Sequence, residues 1–434
     1  MTYKKTTDAD DEKPQRAASL IKKYRPDMTF YRDTYRQLHS MPELSGQEEG
    51  TARIVADYIT SLGSFEVFTK IGGHGVVGVL TNGEGPTILL RADMDALPLL
   101  EKTGLPYASV RTQVDKSGVE KPVMHACGHD THVSSMMAVA KLLLSARSHW
   151  QGTLICLFQP AEEHLKGAKA MVDDGLYDKI PHPDIVLTQH VDNARCGTIQ
   201  LRSGPTMTAS VSLQIRIFGR GGHGSAPQDC IDPIIIGSSI VVQLQTIVSR
   251  QIDPGQLAVV TCGSIHAGDA PNIIPDSLDL KINIRALTND IIDRILASVR
   301  RIVEAACKAG GCDREPLIET ISSTPATIND EATVQTLEKS FASYFGSQLE
   351  HMDVVTASED VSILATTVGA PMVIWFFGST DPIQWDTAKK SGKLNEIPYN
   401  HSPLFAPTIQ SLDAAVDAMS LAALTLFKPA LEVV

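Results

Sequence analysis

Short apolar runs that end in polar residues recur through the first two hundred residues and return near the C-terminus. They are Thr87 to Leu90, Thr153 to Phe158, Ile185 to Leu187 and Met372 to Phe377. Apolar runs with little alternation are typical of strands that are covered on both faces. Helical patterns lie between several of them, notably over Thr131 to Ala146. The sequence therefore predicts an α/β fold with a mostly parallel central sheet flanked by helices.

From about residue 208 to 322 the pattern changes to alternation of apolar and polar residues, the period of strands with one covered face. The alternating apolar positions are Val211, Leu213, Ile215 and Ile217, and Leu278, Leu280, Ile282 and Ile284. Amphipathic helices at about 233–250 and 289–308 fall between predicted strands at about 209–219, 257–266, 276–287 and 315–322. This β-α-β-β-α-β order predicts a ferredoxin-like α+β domain inserted into the first domain.

A chain of 434 residues is long enough for two domains, each with its own core. We predict a polar, solvated extension over residues 1–28, a large domain formed by residues 29–207 and 323–434, and the inserted domain over residues 208–322. The segment from Phe30 to Leu62 is predicted to form two helices separated by a turn around Pro42.

Composition narrows the class of protein. Hydrophobic residues at 43% and charged residues at 20% are typical of a soluble globular protein. The net charge of -12 and the lack of a basic cluster argue against a nucleic-acid partner. The most apolar stretch, Ile231 to Val248, is interrupted by polar residues, so no membrane span is expected. Seven scattered cysteines, together with a polar first thirty residues, predict a cytoplasmic protein with unpaired thiols.

Reactive side chains follow the predicted strands. In open α/β sheets ligands bind beyond the carboxyl ends of the strands, so these side chains are expected to meet at one edge. They are Asp93 and Asp95 after the first strand, Glu162 and Glu163 after the second, His190 after the third, Cys127, His129 and Asp130 before the Thr131 helix, and His401. Thiolate, imidazole and carboxylate are the ligands of zinc and manganese, and two such ions about 3.5–4 Å apart can share a water. Of the adjacent glutamates, one can bind metal while the other handles a proton.

Four motifs resemble those of the M20 metallopeptidase family. They are Asp93-Met94-Asp95-Ala96-Leu97-Pro98, Met124-His125-Ala126-Cys127-Gly128-His129-Asp130, Phe158-Gln159-Pro160-Ala161-Glu162-Glu163 and Asn400-His401-Ser402. They are most similar to the amidohydrolase branch, which contains hippurate hydrolases, N-acyl-amino-acid hydrolases and plant auxin-conjugate hydrolases. The resemblance covers nearly all of residues 30–428 and implies a catalytic domain with an inserted lid domain.

The resemblance also implies roles for single residues. Its metal ligands would be Cys127, His129, Glu163, His190 and His401. Glu162 would be the general base, and Asp95 would orient a ligand. In the lid, His223 would stabilise the oxyanion, and Asn272 and Arg285 would hold the substrate's carboxylate, which the planar guanidinium of arginine matches. One departure is Gln228, which stands where the branch usually has a histidine.

Several residues have structural alternatives. His223 could serve only its turn, Arg285 could face solvent, and Asp130 could cap the helix or orient a ligand. We expect His125 and His132 to pack beside the site, and His39 to be an ordinary surface residue.

The resulting hypothesis is a metal-dependent amidohydrolase that cleaves N-acyl or N-aroyl amino acids with two zinc or manganese ions. A dipeptidase or carboxypeptidase with the same site is the alternative among enzymes, and a non-catalytic binding module is the alternative from another class. The expected partner is a small-molecule amide. A homodimer formed through the lid is favoured if His223 acts across subunits.

Overall fold

The computed structural model describes residues 8–430, and for residues 8–12 it describes only the backbone. The chain forms two compact units. The first unit contains the described residues up to Gly204, Ile328–Asp353 and the residues from Ile363 onward. The second unit contains Pro205–Thr327 and Val354–Ser362. The second unit therefore includes a short segment, Val354–Ser362, that lies in the predicted large domain by sequence.

The helices are α1 (Asp8–Tyr24), α2 (Thr29–Ser40), α3 (Glu49–Ser61), α4 (His129–Ser145), α5 (Gly167–Asp173), α6 (Leu176–Lys179), α7 (Pro233–Gln251), α8 (Asn289–Ala309), α9 (Glu331–Phe345), α10 (Ser362–Val368), α11 (Pro382–Lys390) and α12 (Ser411–Leu426). The strands are β1 (Glu66–Ile71), β2 (Gly75–Asn82), β3 (Thr87–Asp93), β4 (Thr112–Val114), β5 (Glu120–Pro122), β6 (Trp150–Gln159), β7 (Ile185–Arg195), β8 (Ile199–Leu201), β9 (Gly204–Met207), β10 (Ala209–Phe218), β11 (Gly222–His223), β12 (Ala258–His266), β13 (Ile273–Ile274), β14 (Ser277–Ala286), β15 (Leu317–Thr324), β16 (Thr327–Asn329), β17 (Leu349–His351), β18 (Met372–Thr380) and β19 (Lys428–Pro429).

The first unit is built on a sheet with the strand order β1-β2-β6-β3-β7-β18-β8-β17. Its middle strands, β6, β3, β7 and β18, pair in parallel, whereas β1 and β2 are antiparallel. All nine residues of β18 are buried, as expected for a central strand covered on both faces. The predicted α/β fold with a mostly parallel central sheet is therefore confirmed.

All four predicted central strands run further than the sequence predicts, by one residue in β6 and by three in β18. β3 continues to Asp93 and β7 continues to Arg195, so His190 lies inside β7 instead of after its end. The prediction ended each strand at its first polar residue. It was wrong because the backbone ladder continues through polar positions, for example where Phe376 of β18 pairs with His190.

The N-terminal segment corrects the prediction of a solvated extension. Helix α1 contains the buried residues Ala17, Leu20 and Ile21, and it packs against α9 and α12. Residues 1–7 of the predicted extension lie outside the described residues. The composition of α1 is polar on average, but its few apolar side chains share one face, which is sufficient for docking on a helical layer.

The second unit contains a four-stranded antiparallel sheet with the order β12-β14-β10-β15. Its strands and its helices α7 and α8 occur in the predicted order, with ends within two residues of those predicted. The alternating apolar residues of β10 and β14 face the core, where they meet Ile240 and Leu244 of α7 and Val299 of α8.

Helix α7 is, in the described part of the chain, the one helix whose length and composition would allow it to cross a membrane. Ile236, Ile240, Leu244 and Ile247 on one of its faces are buried in the core of the second unit. Core helices of soluble proteins can have the same length and apolar composition.

Candidate metal centre

The start of α4 brings a thiol and an imidazole close together at the sheet. Cys127 and His129 are both buried, and Gly128 between them has φ 80°. A Cβ atom at Gly128 would lie 2.5 Å from Val191 Cγ1, so the turn requires glycine both for its φ and for space. His129 is already the first residue of the helix, two residues earlier than the predicted start.

The structure gathers the five predicted metal ligands into one cluster within the first unit. Cys127 Sγ lies 3.6 Å from His190 Nε2, and Glu163 Oε1 lies 3.9 Å from His129 Nε2. His401 Nε2 lies 3.4 Å from Glu163 Oε2. Ligands bonded at about 2.0–2.3 Å to one tetrahedral ion are separated by distances of this size.

Two buried atoms of this cluster have no hydrogen-bond partner among the described residues. They are His129 Nε2 and Glu163 Oε1. A buried polar atom without a partner is costly, so such atoms are uncommon unless a ligand satisfies them. The donor set of a thiolate, three imidazoles and a carboxylate suits a divalent transition metal. These residues therefore fit a metal ion.

Asp95 connects two of the predicted ligands, His129 and Glu163. Its Oδ1 accepts a hydrogen bond from His129 Nδ1 at 3.2 Å, and its Oδ2 accepts one from the Glu163 backbone N–H at 2.9 Å. Burial opposes ionisation, but the hydrogen bond and the charge of His129 lower the pKa of Asp95 below its usual value. A carboxylate at Nδ1 leaves Nε2 of His129 as the metal-facing atom.

The electrostatics of the imidazoles differ within the cluster. Burial opposes protonation of His129, yet the charges of Asp93 and Cys127 raise its pKa well above the usual value. Burial, followed by repulsion from His132, holds the pKa of His190 well below the usual value. His190 also donates from Nδ1 to the Val191 carbonyl at 2.7 Å, so its Nε2 presents a lone pair towards Cys127.

A second set of acids and imidazoles lies beside the first. Asp93, His129, His132 and His190 each offer an atom within 4.8 Å of the others. However, His132 uses both ring nitrogens, since Nδ1 donates to Asp93 at 2.5 Å and Nε2 accepts the Val191 N–H at 2.9 Å. Asp93 is also paired with a buried arginine, Arg91, at 2.6 Å. This set therefore supports the part of β7 that carries His190.

The C-terminal histidine reaches the cluster through a well-anchored loop. The side-chain amide of Asn400 donates to the carbonyls of Cys127 and Val191 at 3.2 and 3.1 Å. The N–H of His401 donates to the Ala126 carbonyl at 2.8 Å. Hydrogen bonds to Cys127 and then Glu163 raise the pKa of His401 to about 10. His401 has φ 69°, a conformation that these contacts hold in place.

Glu162 lies at the edge of the cluster on the turn after β6. Its Oε2 is 3.9 Å from His129 Nε2, and its side chain is 8% exposed. The two glutamates of the turn thus point at the same imidazole from different positions, with Glu163 also in contact with His401. This arrangement places a second acid beside the predicted metal ligands.

The predicted substrate residues belong to the second unit. His223 and Asn272 are neighbours at a small ladder, in which His223 pairs with Ile273 and Gly224 donates to the Asn272 carbonyl. Both side chains are exposed, and His223 Nδ1 lies 2.6 Å from Ser225 Oγ. Gln228 is exposed in a short 3-10 turn nearby in sequence.

Arg285 lies on β14 in the four-stranded sheet of the second unit, and hydrogen bonds fix its guanidinium. Its Nε donates to Asn283 Oδ1 at 3.1 Å, and its Nη1 donates to Ser358 Oγ at 3.1 Å. Asn283 in turn donates to the hydroxyls of Ser210 and Ser212. The guanidinium is therefore oriented by its own unit and is not a freely solvated side chain.

His39 corrects a prediction, because it is fully buried instead of lying on the surface. Its Nδ1 donates to Asp130 Oδ2 at 2.7 Å and its Nε2 donates to Glu101 Oε1 at 3.1 Å. The signal was present in the sequence, since His39 follows Tyr31, Tyr35 and Leu38 on the buried stripe of α2. Asp130 consequently binds His39 and the N–H of Thr131 instead of acting before the helix as a cap.

Glu48 is a buried acid that the sequence analysis missed, as are Glu359 and Asp360 in the second unit. Nothing in the apolar periodicity distinguishes these acids from solvated ones. Their burial follows from the tertiary structure alone.

The fold and this cluster define a metal-dependent amide hydrolase. The sequence profile of Peptidase family M20/M25/M40 matches residues 89–391, and the chain belongs to this family, within its amidohydrolase branch. The chain is 40% identical over 328 residues to the hippurate hydrolase of Campylobacter jejuni, covering 75% of this chain and 82% of that one. It is 36% identical over 350 residues to thermostable carboxypeptidase 1 of Saccharolobus solfataricus, covering 79% and 84%.

A solved structure supports the same assignment. A dinuclear metal-binding peptidase of the M20 family from Bacillus subtilis matches with a TM-score of 0.72 and 26% identity, covering 92% of this chain and 97% of that one.

Proposed function

We propose that this enzyme hydrolyses the amide bond of N-acyl or N-aroyl amino acids and releases a carboxylic acid and a free amino acid. The observation that carries the proposal is the cluster in which His129 Nε2 and Glu163 Oε1 are buried without partners beside Glu162. The similarity to a hippurate hydrolase supports the acyl-amino-acid class, since hippurate is N-benzoylglycine.

The metal ligands of this proposal are Cys127, His129, Glu163, His190 and His401, and they would hold two divalent ions, zinc or manganese. When bound, such ions polarise an amide carbonyl and lower the pKa of a coordinated water. Asp95 would keep His129 and the Glu163 backbone in place through its two hydrogen bonds.

The protein's own groups would move the proton and bind the substrate. Glu162 would accept a proton from the attacking water and deliver it to the leaving amine. His223 would donate to the developing oxyanion. Asn272 and Arg285 would bind the carboxylate of the amino-acid part, and the orientation of Arg285 by Asn283 supports this role. In this proposal the second unit is the lid domain.

The test of the mechanism is the variant Glu162→Gln, which keeps the size of the side chain and removes its basicity. We expect normal metal content and a turnover of benzoyl-amino acids reduced by about 10²–10⁴-fold, the usual contribution of a general base. A metal-replete variant that retains near wild-type turnover would contradict the role of Glu162.

A dipeptidase or carboxypeptidase is the second candidate, favoured by the similarity to the Saccharolobus carboxypeptidase. The two activities differ in whether the acyl part carries a free amine. Rates on benzoyl- and acetyl-amino acids, compared with rates on dipeptides of the same C-terminal residue, separate them. We expect the acyl-amino acids to be cleaved faster.

We also propose a cytoplasmic homodimer that has neither a membrane nor a nucleic-acid partner. All seven cysteines are unpaired thiols, as is usual in a reducing compartment. In the second unit Ile235 and Val242 of α7 and Val259 and Ile265 of the edge strand β12 expose apolar side chains, a surface that a second copy could cover. Light scattering of wild type and Val242→Glu tests the dimer, which the glutamate should weaken.

A further inference from the structure

Glu48 is a buried acid that the proposed mechanism does not use. It directly precedes α3, and its side chain is fully buried. Long charged side chains are almost never fully buried unless other groups compensate for the loss of water. The contacts of this carboxyl group therefore indicate what its burial supports.

One oxygen of Glu48 binds the turn that carries the catalytic glutamates. Oε1 accepts the N–H of Ala161 at 2.9 Å and also the N–H of Gly46. Ala161 lies 113 residues further along the chain and directly precedes Glu162. It has φ 53°, a left-handed conformation that is unfavourable for a residue with a Cβ. The hydrogen bond from Ala161 to Glu48 helps to hold this conformation.

The N–H groups on the two sides of Glu162 are both bound by buried acids. Glu48 accepts the N–H of Ala161, and Asp95 accepts the N–H of Glu163 at 2.9 Å. The turn is thus fixed immediately before and immediately after Glu162. Asp95 also accepts a hydrogen bond from His129, so Asp95 links the turn to the imidazole that the turn faces.

The second oxygen of Glu48 is buried without a hydrogen-bond partner. Burial, followed by repulsion from Asp95, raises the pKa of Glu48 to about 7. A carboxyl group with one unpaired oxygen beside another acid is an unfavourable way to stabilise a fold. The oxygen that does have partners, Oε1, is therefore the one whose contacts indicate a function.

We propose that Glu48 is a positioning residue that sets the direction of Glu162 and Glu163 through the backbone of Ala161. The proposal rests on the proposed function, in which Glu162 is the base and Glu163 a metal ligand. The Glu48 side chain accepts hydrogen bonds from the N–H groups of Ala161 and Gly46, neither of which is a proposed metal ligand. Its removal should therefore change the placement of both glutamates while the peptide chain around them stays folded.

The chain offers a matched control in Glu43. This acid is also buried on the segment before α3, and its carboxylate also accepts two backbone N–H groups, those of Gly50 and Thr51. Those N–H groups belong to the start of α3 and not to the turn at Glu162. The Glu43 carboxylate also pairs with Arg111 Nη2 at 3.5 Å, so Glu43→Ala should lower stability at least as much as Glu48→Ala while the hydrogen bond from Ala161 to Glu48 stays in place.

The experiment compares wild type with Glu48→Ala, Glu48→Gln and Glu43→Ala. Each is titrated with Zn²⁺ against a chromophoric chelator and assayed on benzoyl-amino acids. Outer partners of metal ligands typically contribute 10–100-fold to affinity or activity. We expect Glu48→Ala to bind the more weakly held of the two Zn²⁺ ions about 10–100-fold less tightly than wild type. Its kcat should fall by a similar factor, with KM within about threefold of wild type. Glu48→Gln, which keeps an acceptor for Ala161, should stay within about threefold of wild type in both, and Glu43→Ala should match wild type.

Two results would overturn the proposal. One is a folded Glu48→Ala protein with wild-type Zn²⁺ affinity and kcat. The other is an equal loss in Glu43→Ala, which would assign the effect to the whole segment. If Glu48→Ala does not fold, Glu48→Asp takes its place, because its shorter side chain keeps the charge but cannot reach Ala161. If wild type fails on acyl-amino acids, the proposed function fails, while the Zn²⁺ titration still decides the role of Glu48.

Discussion

The buried imidazole of His39 should make the stability of the first unit depend on alkaline pH. His39 donates one hydrogen bond to Asp130 and one to Glu101, which requires both ring nitrogens to be protonated. Burial opposes this charge, but the two carboxylates outweigh it and raise the pKa of His39 to about 9. The folded protein therefore holds a proton that the unfolded chain releases near pH 6.5.

The size of the effect follows from the two pKa values. A rise of the His39 pKa from 6.5 to about 9 corresponds to about 3 kcal/mol of stability, at 1.36 kcal/mol for each pH unit. Because the folded pKa is the higher one, this stabilisation is complete below pH 6.5 and is lost as the pH rises through 9. For a unit of this size, about 3 kcal/mol corresponds to roughly 5–10 °C in the unfolding temperature.

The assay is thermal unfolding of wild type and His39→Gln at pH 6 and at pH 10. Glutamine cannot donate to both carboxylates as a cation, so we expect the variant to unfold roughly 5–10 °C lower at pH 6 and within about 2 °C of wild type at pH 10. The exposed His351 provides a control, since His351→Gln should match wild type at both pH values. A His39→Gln deficit that is the same at pH 6 and pH 10 would refute the charged state of His39.

Three further predictions concern the site and the second unit. Asp95→Asn replaces an acceptor of His129 and Glu163, so Zn²⁺ affinity should fall about 10–100-fold in a chelator titration; unchanged affinity would rule out its orienting role. Leu244→Ala truncates a fully buried side chain in the core of the second unit, so the free energy of unfolding of that unit should fall by about 2–5 kcal/mol in hydrogen exchange. A smaller loss would mean that the core closes around the cavity. Asn283→Ala removes the acceptor that orients Arg285 Nε, so KM for acyl-amino acids should rise about tenfold with kcat retained, as expected for one hydrogen bond to a charged group. An unchanged KM would argue against carboxylate binding by Arg285.

The parts of the fold that local patterns encode were predictable. The apolar runs of β6 and β18 and the alternation of β10 and β14 follow directly from which faces are covered. Two of the proposed ligands, Cys127 and His129, stand beside the glycine that their turn requires, so this motif determines its local geometry. These features are determined by residues that are close together in the sequence.

The remaining features depend on contacts between distant segments. Glu48 and Ala161 are 113 residues apart, and no periodicity shows that one accepts a hydrogen bond from the other. The continuation of β7 through His190 depends on pairing with β18, which follows almost two hundred residues later. The polar composition of helix α1 suggests a solvated segment. Its three buried apolar residues, Ala17, Leu20 and Ile21, are covered only because the helix packs against α9 and α12.

Anomalous diffraction from crystals soaked with Zn²⁺ or Mn²⁺ tests the central claim most directly. We expect two peaks about 3.5–4 Å apart, bound by Cys127, His129, Glu163, His190 and His401 with Glu162 beside them. A single peak held by Asp93 and His132, or no peak near Cys127 in protein that hydrolyses acyl-amino acids, would contradict it.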